Sequence, residues 1–230
     1  VALQGVAHAS KVRKLTRSYA AERSQCGTAI ENHPGVAKKL ERIETLEIAS
    51  RAIAHFALIQ LEKGEKDELA SFLTPLAKVF CSEAGFEAAQ LGMNVLGGYG
   101  YLEEYEISQN LRDAKITQIY EGTNDIHQAA LVTRLSGAPQ DAFLAELKAQ
   151  FLQTAKVWER ARVQVVALDE PRLIAAEFLD LTALCLARAL FANPDLTETT
   201  WPHAIGLDRL RTVLALEVDI AASRFQLTIS

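Results

Sequence analysis

The sequence predicts an all-α protein, an up-and-down helical bundle with further helices at its C-terminal end. Two observations carry this. Ala, Leu, Glu, Lys, Arg and Gln, the residues that lose least on entering a helix, dominate most of the chain. Apolar positions recur at helical spacing between Gly and Pro punctuation, and no stretch alternates in the two-residue period of a half-buried strand.

The first helix is expected over roughly residues 2–25, with Leu3, Val6, Val12, Leu15 and Tyr19 on one side. Gly27 and the stretch 28–33 interrupt it. Pro34 suits the first position of a second helix, which Gly64 ends. Val36, Leu40, Ile43, Ile53 and Phe56 mark its buried side, and Glu47 and Arg51, four apart, are placed on its wet side. Thr74 reads as an N-cap ahead of Pro75, opening a third helix over about 75–96. Gly97, Gly98 and Gly100 stop that helix. A short helix follows over about 105–116, and another from near Gly122 to about 135. "SGAPQD" at 136–141 reads as the linker. Helices near 140–167, 171–192 and 204–227 complete the chain, broken at Pro171 and at "NPDLTETTWP". In the tail, Ile174, Phe178, Leu181 and Cys185 form a core stripe, and Trp158 and Trp201 are scattered aromatics.

Bulk properties exclude several functions. The 230 residues are 49% apolar and 23% charged, enough for one or two cores. A net charge of −5 with dispersed basic residues argues against nucleic-acid binding, which needs clustered Lys and Arg. Cys26, Cys81 and Cys185 stand apart and suggest a reduced compartment without a cysteine-held metal. No apolar run approaches the ~20 residues of a membrane span. The chain starts at Val1, already inside an amphipathic pattern and without a cap, so upstream residues of a longer protein are expected.

Three features could carry chemistry. The glycines at 97, 98 and 100 allow a backbone to approach a flat ligand, or simply cap a helix. Arg112 and Asp113 read as a structural ion pair. Glu121 lies between Ile119-Tyr120 and Gly122-Thr123. It is either a carboxylate favoured at a helix N-terminus or a general base whose pKa rises when an apolar ligand covers it. His55 and His127 read as ordinary helix residues, and Met93 as core filler.

"VLGGYGYLEEYEISQNLRDAKITQIYEGTNDIHQAALVTRL" resembles the C-terminal signature of acyl-CoA dehydrogenases: a glycine-rich turn, an "RDA" helix and "IYEGT". "YAAERSQCG" resembles the family's "YAxERxQFG" helix end. The resemblance covers residues 1 to about 137. It implies α,β-dehydrogenation of an acyl-CoA thioester with FAD as cofactor. Glu121 matches the catalytic base, and Thr123 matches the threonine beside the flavin pyrophosphate. Arg23 matches the arginine on the FAD phosphates, with Gln25 of the same motif on the cofactor side. Gly97 and Gly98 match the turn that approaches the cofactor of a neighbouring subunit. Tyr120 and Gly122 match the acyl or thioester region. Asn94 and Asp125 occupy cofactor positions where the family has Gln, and Cys26 replaces a Phe. These departures bear on FAD affinity rather than on the fold. No metal is implied.

"HPGVAKKL" and the helix after it resemble a bacterial branch with larger subunits that acts on methylthio- and other short substituted propanoyl-CoA thioesters. Residues 1–137 would then be the family's C-terminal helical domain, and 138–230 a helical extension that caps it or stabilises an oligomer. The family's N-terminal helical and middle β-domains lie outside the chain, so the chain alone is expected to be inactive. The resemblance further implies a homo-oligomer of two to four subunits, electron-transfer flavoprotein as electron acceptor, and a bacterial cytoplasm rather than a mitochondrial matrix. A non-catalytic assembly module descended from such an enzyme, and a flavin oxidase or monooxygenase of the same superfamily, are the alternatives.

Overall fold

A computed structural model describes residues 1–64, 68–133, 137–193, 203 and 205–229. The described chain is helical almost throughout. Helices α1 (Ala2–Glu22), α2 (Pro34–Glu62), α3 (Glu68–Leu96), α4 (Gly98–Tyr101), α5 (Ile107–Ile116) and α6 (Asn124–Thr133) are followed by α7 (Ala138–Gln150), α8 (Leu152–Val166), α9 (Ala175–Phe191) and α10 (Leu207–Ile229). A minimal antiparallel hairpin, β1 (Ser24–Gln25) and β2 (Thr28–Ala29), stands between α1 and α2. Among the described residues, no helix is long and apolar enough to cross a membrane.

The helices build two compact units that interleave along the chain. One contains Val1–Arg51 and Cys81–Glu121, the other Ala52–Phe80 and Gly122–Ser230. In the first, Ala9 and Val12 of α1, Leu40 and Ile43 of α2, Ala84 and Ala88 of α3 and Ile107 of α5 form one core. Small residues set the α1–α3 distance. A Cβ added at Gly5 would lie 2.0 Å from the Cys81 carbonyl oxygen, and one at Gly85 would lie 2.7 Å from the Gly5 oxygen. Charge enters this core as well. Glu47 is buried, accepts from Arg51 Nη2 at 2.5 Å and is ion-paired with Arg13, whose Nε lies 3.0 Å from its other carboxylate oxygen, while buried Glu44 accepts from Arg17 Nη2 at 2.6 Å.

In the second unit α9 is the central helix. Helices α6, α7, α8 and α10 pack on it, which explains why Phe178, Leu181, Cys185 and Leu186 are all fully buried. The Trp158 ring meets Phe143, Phe178 and Phe72 at centroid distances of 5.0, 6.0 and 6.2 Å. Its Nε1–H donates to Thr182 Oγ1 at 2.9 Å.

Several expectations are corrected. Helix α3 starts at Glu68, seven residues ahead of Pro75, and Thr74 is inside it, its hydroxyl bonded to the Ala70 carbonyl. The proline is tolerated because the carbonyl it deprives of a partner belongs to exposed Ser71. The stretch 140–167 is two helices, because Phe151 turns to an extended conformation (φ −160°, ψ 101°). "SGAPQD" mostly opens α7 rather than forming a linker; Ser136 lies outside the described residues. Glu47 is on the buried side of α2, its charge met by two arginines. Arg112 pairs with Glu103, at 3.0 Å through both terminal nitrogens, instead of with Asp113. Leu3 is exposed, and the buried stripe of α1 runs through Val6, Ala9, Val12, Thr16 and Ala20. Trp201 and most of "NPDLTETTWP" lie outside the described residues.

Candidate active site

A groove of about 530 Å³ opens in the first unit, lined among others by Arg23, Gln25, Gly97 and Gly98. Local conformation puts them there. Arg23 leaves the helical region (φ −75°, ψ 122°) and ends α1. Cys26 and Gly27, at φ 51° and 82°, make the two-residue loop of the hairpin, the left-handed pair that such tight turns require. The chain folds back, and Ile30 N–H donates to the Arg23 carbonyl at 2.8 Å. Also lining the groove, Gly97 at φ 62°, ψ −135° turns the chain sharply out of α3, a conformation that a side chain would oppose.

The groove combines the polar side chains of Arg23, Gln25 and His33 with aromatic Tyr19 and Tyr99 and aliphatic Ile30 and Leu96. With its oxygen turned to the guanidinium, the Gln25 amide accepts from Arg23 Nη2 at 2.7 Å. The guanidinium carbon stands 5.8 Å from the Tyr99 ring centroid. Tyr19, Tyr99 and Tyr105 pack against each other at 5.1–6.5 Å. His33 Nε2 lies 3.2 Å from the Gln25 carbonyl oxygen. A Cβ added at Gly97 or Gly98 would meet nothing within 4 Å, so neither glycine is demanded by internal packing.

Glu121 closes the first unit. The chain leaves α5 through a turn in which Ile119 and Tyr120 N–H groups donate to the Ile116 carbonyl at 3.0 and 3.1 Å. Gln118 holds that turn, donating to Glu83 Oε2 at 2.6 Å and accepting from Lys115 Nζ at 2.6 Å. The Tyr120 hydroxyl donates to the Gln4 side chain. Ile119, in the apolar pair before Glu121, is half exposed. Glu121 is exposed at φ 54°, a left-handed conformation uncommon for a residue with a side chain.

Gly122 opens the second unit at φ 87°. The Thr123 carbonyl accepts from Ile126 and His127 N–H at 3.1 and 3.3 Å, which makes Thr123 the residue just ahead of α6. Glu121 is therefore two positions too early to cap α6. Asp125 is exposed in the first turn of α6. From α3, buried Lys78 donates to the Gly122 carbonyl at 2.8 Å and to Asn124 Oδ1 at 2.7 Å.

The groove thus gathers Arg23, Gln25, Gly97 and Gly98. Asn94 is exposed on α3 and does not line it. Tyr120 and Glu121 share the unit with the groove, and Gly122, Thr123 and Asp125 belong to the other. Sequence reasoning missed Tyr19, His33 and Tyr99 as groove residues, and Lys78 altogether. The signal for Lys78 was a lone charge in the apolar helical run "LAKVF".

This helical architecture with its two glycine-marked turns matches a known domain. The family model described as "Acyl-CoA dehydrogenase, C-terminal domain" matches residues 1–136, and the chain belongs to that family. Among relatives, 3-methylmercaptopropionyl-CoA dehydrogenase of Ruegeria pomeroyi is 37% identical over 58% of this chain and 26% of its own length. An acyl-CoA dehydrogenase of Bacillus subtilis is 34% identical over 60% of this chain and 35% of its own. The chain spans about a quarter to a third of these relatives. The solved acyl-CoA dehydrogenase of Bacillus anthracis, complexed with FAD, shares the fold over 98% of this chain and 47% of that one, with a TM-score of 0.76 at 19% identity.

Proposed function

We propose that the chain is the C-terminal part of an FAD-dependent acyl-CoA dehydrogenase. The observation that carries the reading is the groove, which brings together two motifs far apart in sequence, Arg23 with Gln25 and Gly97 with Gly98. Its residues suit a dinucleotide. The Arg23 guanidinium offers a planar fork of donors for a pyrophosphate, the Gln25 amide keeps that fork oriented, and Gly97 and Gly98 leave backbone accessible where side chains would block it. The volume lies within the range usual for small-molecule sites. Thr123, Asp125 and Asn94 are assigned to cofactor binding from the family motif alone.

When bound, FAD supplies the hydride acceptor. Glu121 takes the α-proton of the acyl thioester, and the product is a 2-enoyl-CoA. The left-handed backbone at Glu121 supports an active-site role, because strained conformers cluster where side-chain direction matters. Tyr120 and Gly122 border the thioester. Residues 1–137 are the family's C-terminal domain and 138–230 a helical extension. The "HPGVAKKL" segment, together with the relative named for 3-methylmercaptopropionyl-CoA, favours a short substituted acyl group. A homo-oligomer of two to four subunits in a bacterial cytoplasm, handing electrons to electron-transfer flavoprotein, completes the proposal. The chain without the preceding domains is inactive in this reading.

The test is the absorbance of the natural full-length protein. A yellow protein bleached anaerobically by short acyl-CoA thioesters supports the dehydrogenase. A colourless protein, or a yellow one indifferent to every thioester, overturns it in favour of an assembly module or an oxidase.

A further inference from the structure

We infer that Lys78 is a positioning residue for the turn that presents Glu121. The inference rests on Glu121 being the base and adds what holds it. Lys78 is buried on α3, beside Ala77, Val79 and Phe80, where an apolar side chain would serve packing as well. An ammonium at such a site needs strong acceptors to offset its lost water. Two of them are the Gly122 carbonyl at 2.8 Å and the Asn124 side-chain oxygen at 2.7 Å. Both belong to the three residues that immediately follow Glu121.

That turn needs fixing. Glu121 and Gly122 adopt left-handed conformations in succession, at φ 54° and 87°. A left-handed Glu is not held by its own preference and persists only where the surroundings determine it. Lys78 fixes the peptide plane after Gly122 and, through Asn124, the first residue of α6. His127 limits the turn on another side. A Cβ added at Gly122 would lie 3.0 Å from its Nε2, so the glycine has little room to shift. The next peptide in the N-terminal direction carries Glu121. Freeing the Gly122 carbonyl therefore releases the torsions that aim the carboxylate, and a displacement near 1 Å at a reacting group costs on the order of 100-fold in rate.

The experiment uses the full-length protein with FAD bound and three variants, Lys78→Met, Asn124→Ala and Glu121→Gln. The main readout is deuterium wash-in at the α-carbon of an acyl-CoA thioester with no β-hydrogen. This breaks the α C–H bond and protonates Glu121 without any hydride transfer, so it reports on the base alone. Steady-state kcat and KM with an oxidisable thioester are measured alongside. Lys78→Met is expected to slow exchange and kcat together by ~10–100-fold, with KM and flavin content near wild type. Asn124→Ala, which keeps the Gly122 bond, is expected to lose less, and it carries the test if Lys78→Met does not fold. Wild-type exchange in both variants, with Glu121→Gln inactive, overturns the positioning role and leaves the base in place. Wild-type exchange in Glu121→Gln overturns the base assignment and this inference with it.

Discussion

Gly98 and Gly100 stand two residues apart and serve opposite needs: a Cβ added at Gly100 would lie 2.6 Å from the Met93 carbonyl oxygen, whereas one at Gly98 would meet nothing within 4 Å. One glycine is required by the fold, and the other faces the groove. Gly100→Ala is expected to destabilise by about 1–3 kcal/mol, because the obstacle is backbone and must move. Gly98→Ala, at an ordinary backbone conformation, is expected to leave thermal stability unchanged or slightly raised. In the full-length protein the same methyl intrudes on the groove and should weaken FAD retention about tenfold or more. Thermal unfolding and flavin release on dilution separate the two outcomes.

The buried carboxylate of Glu47 predicts a second pattern. It meets Arg13 and Arg51, and both arginines are partly exposed. Glu47→Ala strands two cations that recover some water, so the loss should be about 1–3 kcal/mol, below the 3–5 kcal/mol of a fully buried pair broken on one side. Denaturant unfolding of Glu47→Ala against Glu47→Gln measures it, with Gln retaining part of the hydrogen bonding. Equal stability of Glu47→Ala and wild type would place the network outside the stabilising core.

Trp158 makes its buried hydrogen bond to Thr182, whose hydroxyl donates in turn to the Phe178 carbonyl at 2.6 Å. Thr182→Val keeps the volume and removes the acceptor. An indole N–H left unpaired inside an aromatic cluster should cost about 1–3 kcal/mol. A shift in melting temperature, with Trp158→Phe/Thr182→Val recovering part of the loss, is the expected result.

How much of this was legible in advance differs by element. Pro34 at the start of α2 and the stops at Gly64 and Gly97 were readable because proline and glycine restrict or free the backbone directly. The start of α3 was not, since Thr74-Pro75 is a good capping pair, and only the exposure of Ser71 makes an interior proline tolerable there. The break at Phe151 carries no glycine or proline; its carbonyl caps α8 by accepting from Ala155 N–H at 3.2 Å and Thr154 Oγ1 at 2.9 Å. The hairpin was missed because two-residue strands are too short to alternate. The groove was half legible. Arg23, Gln25, Gly97 and Gly98 belong to motifs, but Tyr19 and His33 join them only through tertiary folding.

Cys185 gives the chain a pH dependence. Burial pushes its thiol from about 9 up to about 12. The folded state therefore holds this proton at pH values where the unfolded chain has released it. The contribution is intact below the unfolded pKa and is lost as pH rises from about 9 toward 12. Cys185→Ala should flatten the alkaline fall of unfolding free energy over that window. Cys81, buried and raised in the same way, should likewise resist alkylation in the native protein, while exposed Cys26 reacts.

The most direct test of the central claim replaces Glu121 with glutamine in the full-length protein and follows anaerobic flavin reduction by a short acyl-CoA thioester. Glutamine keeps the shape and removes the basic oxygen. FAD should stay bound while reduction slows by ~100-fold or more, the contribution expected of a general base. Reduction at the wild-type rate would contradict the account and leave Glu121 a surface carboxylate on a strained turn.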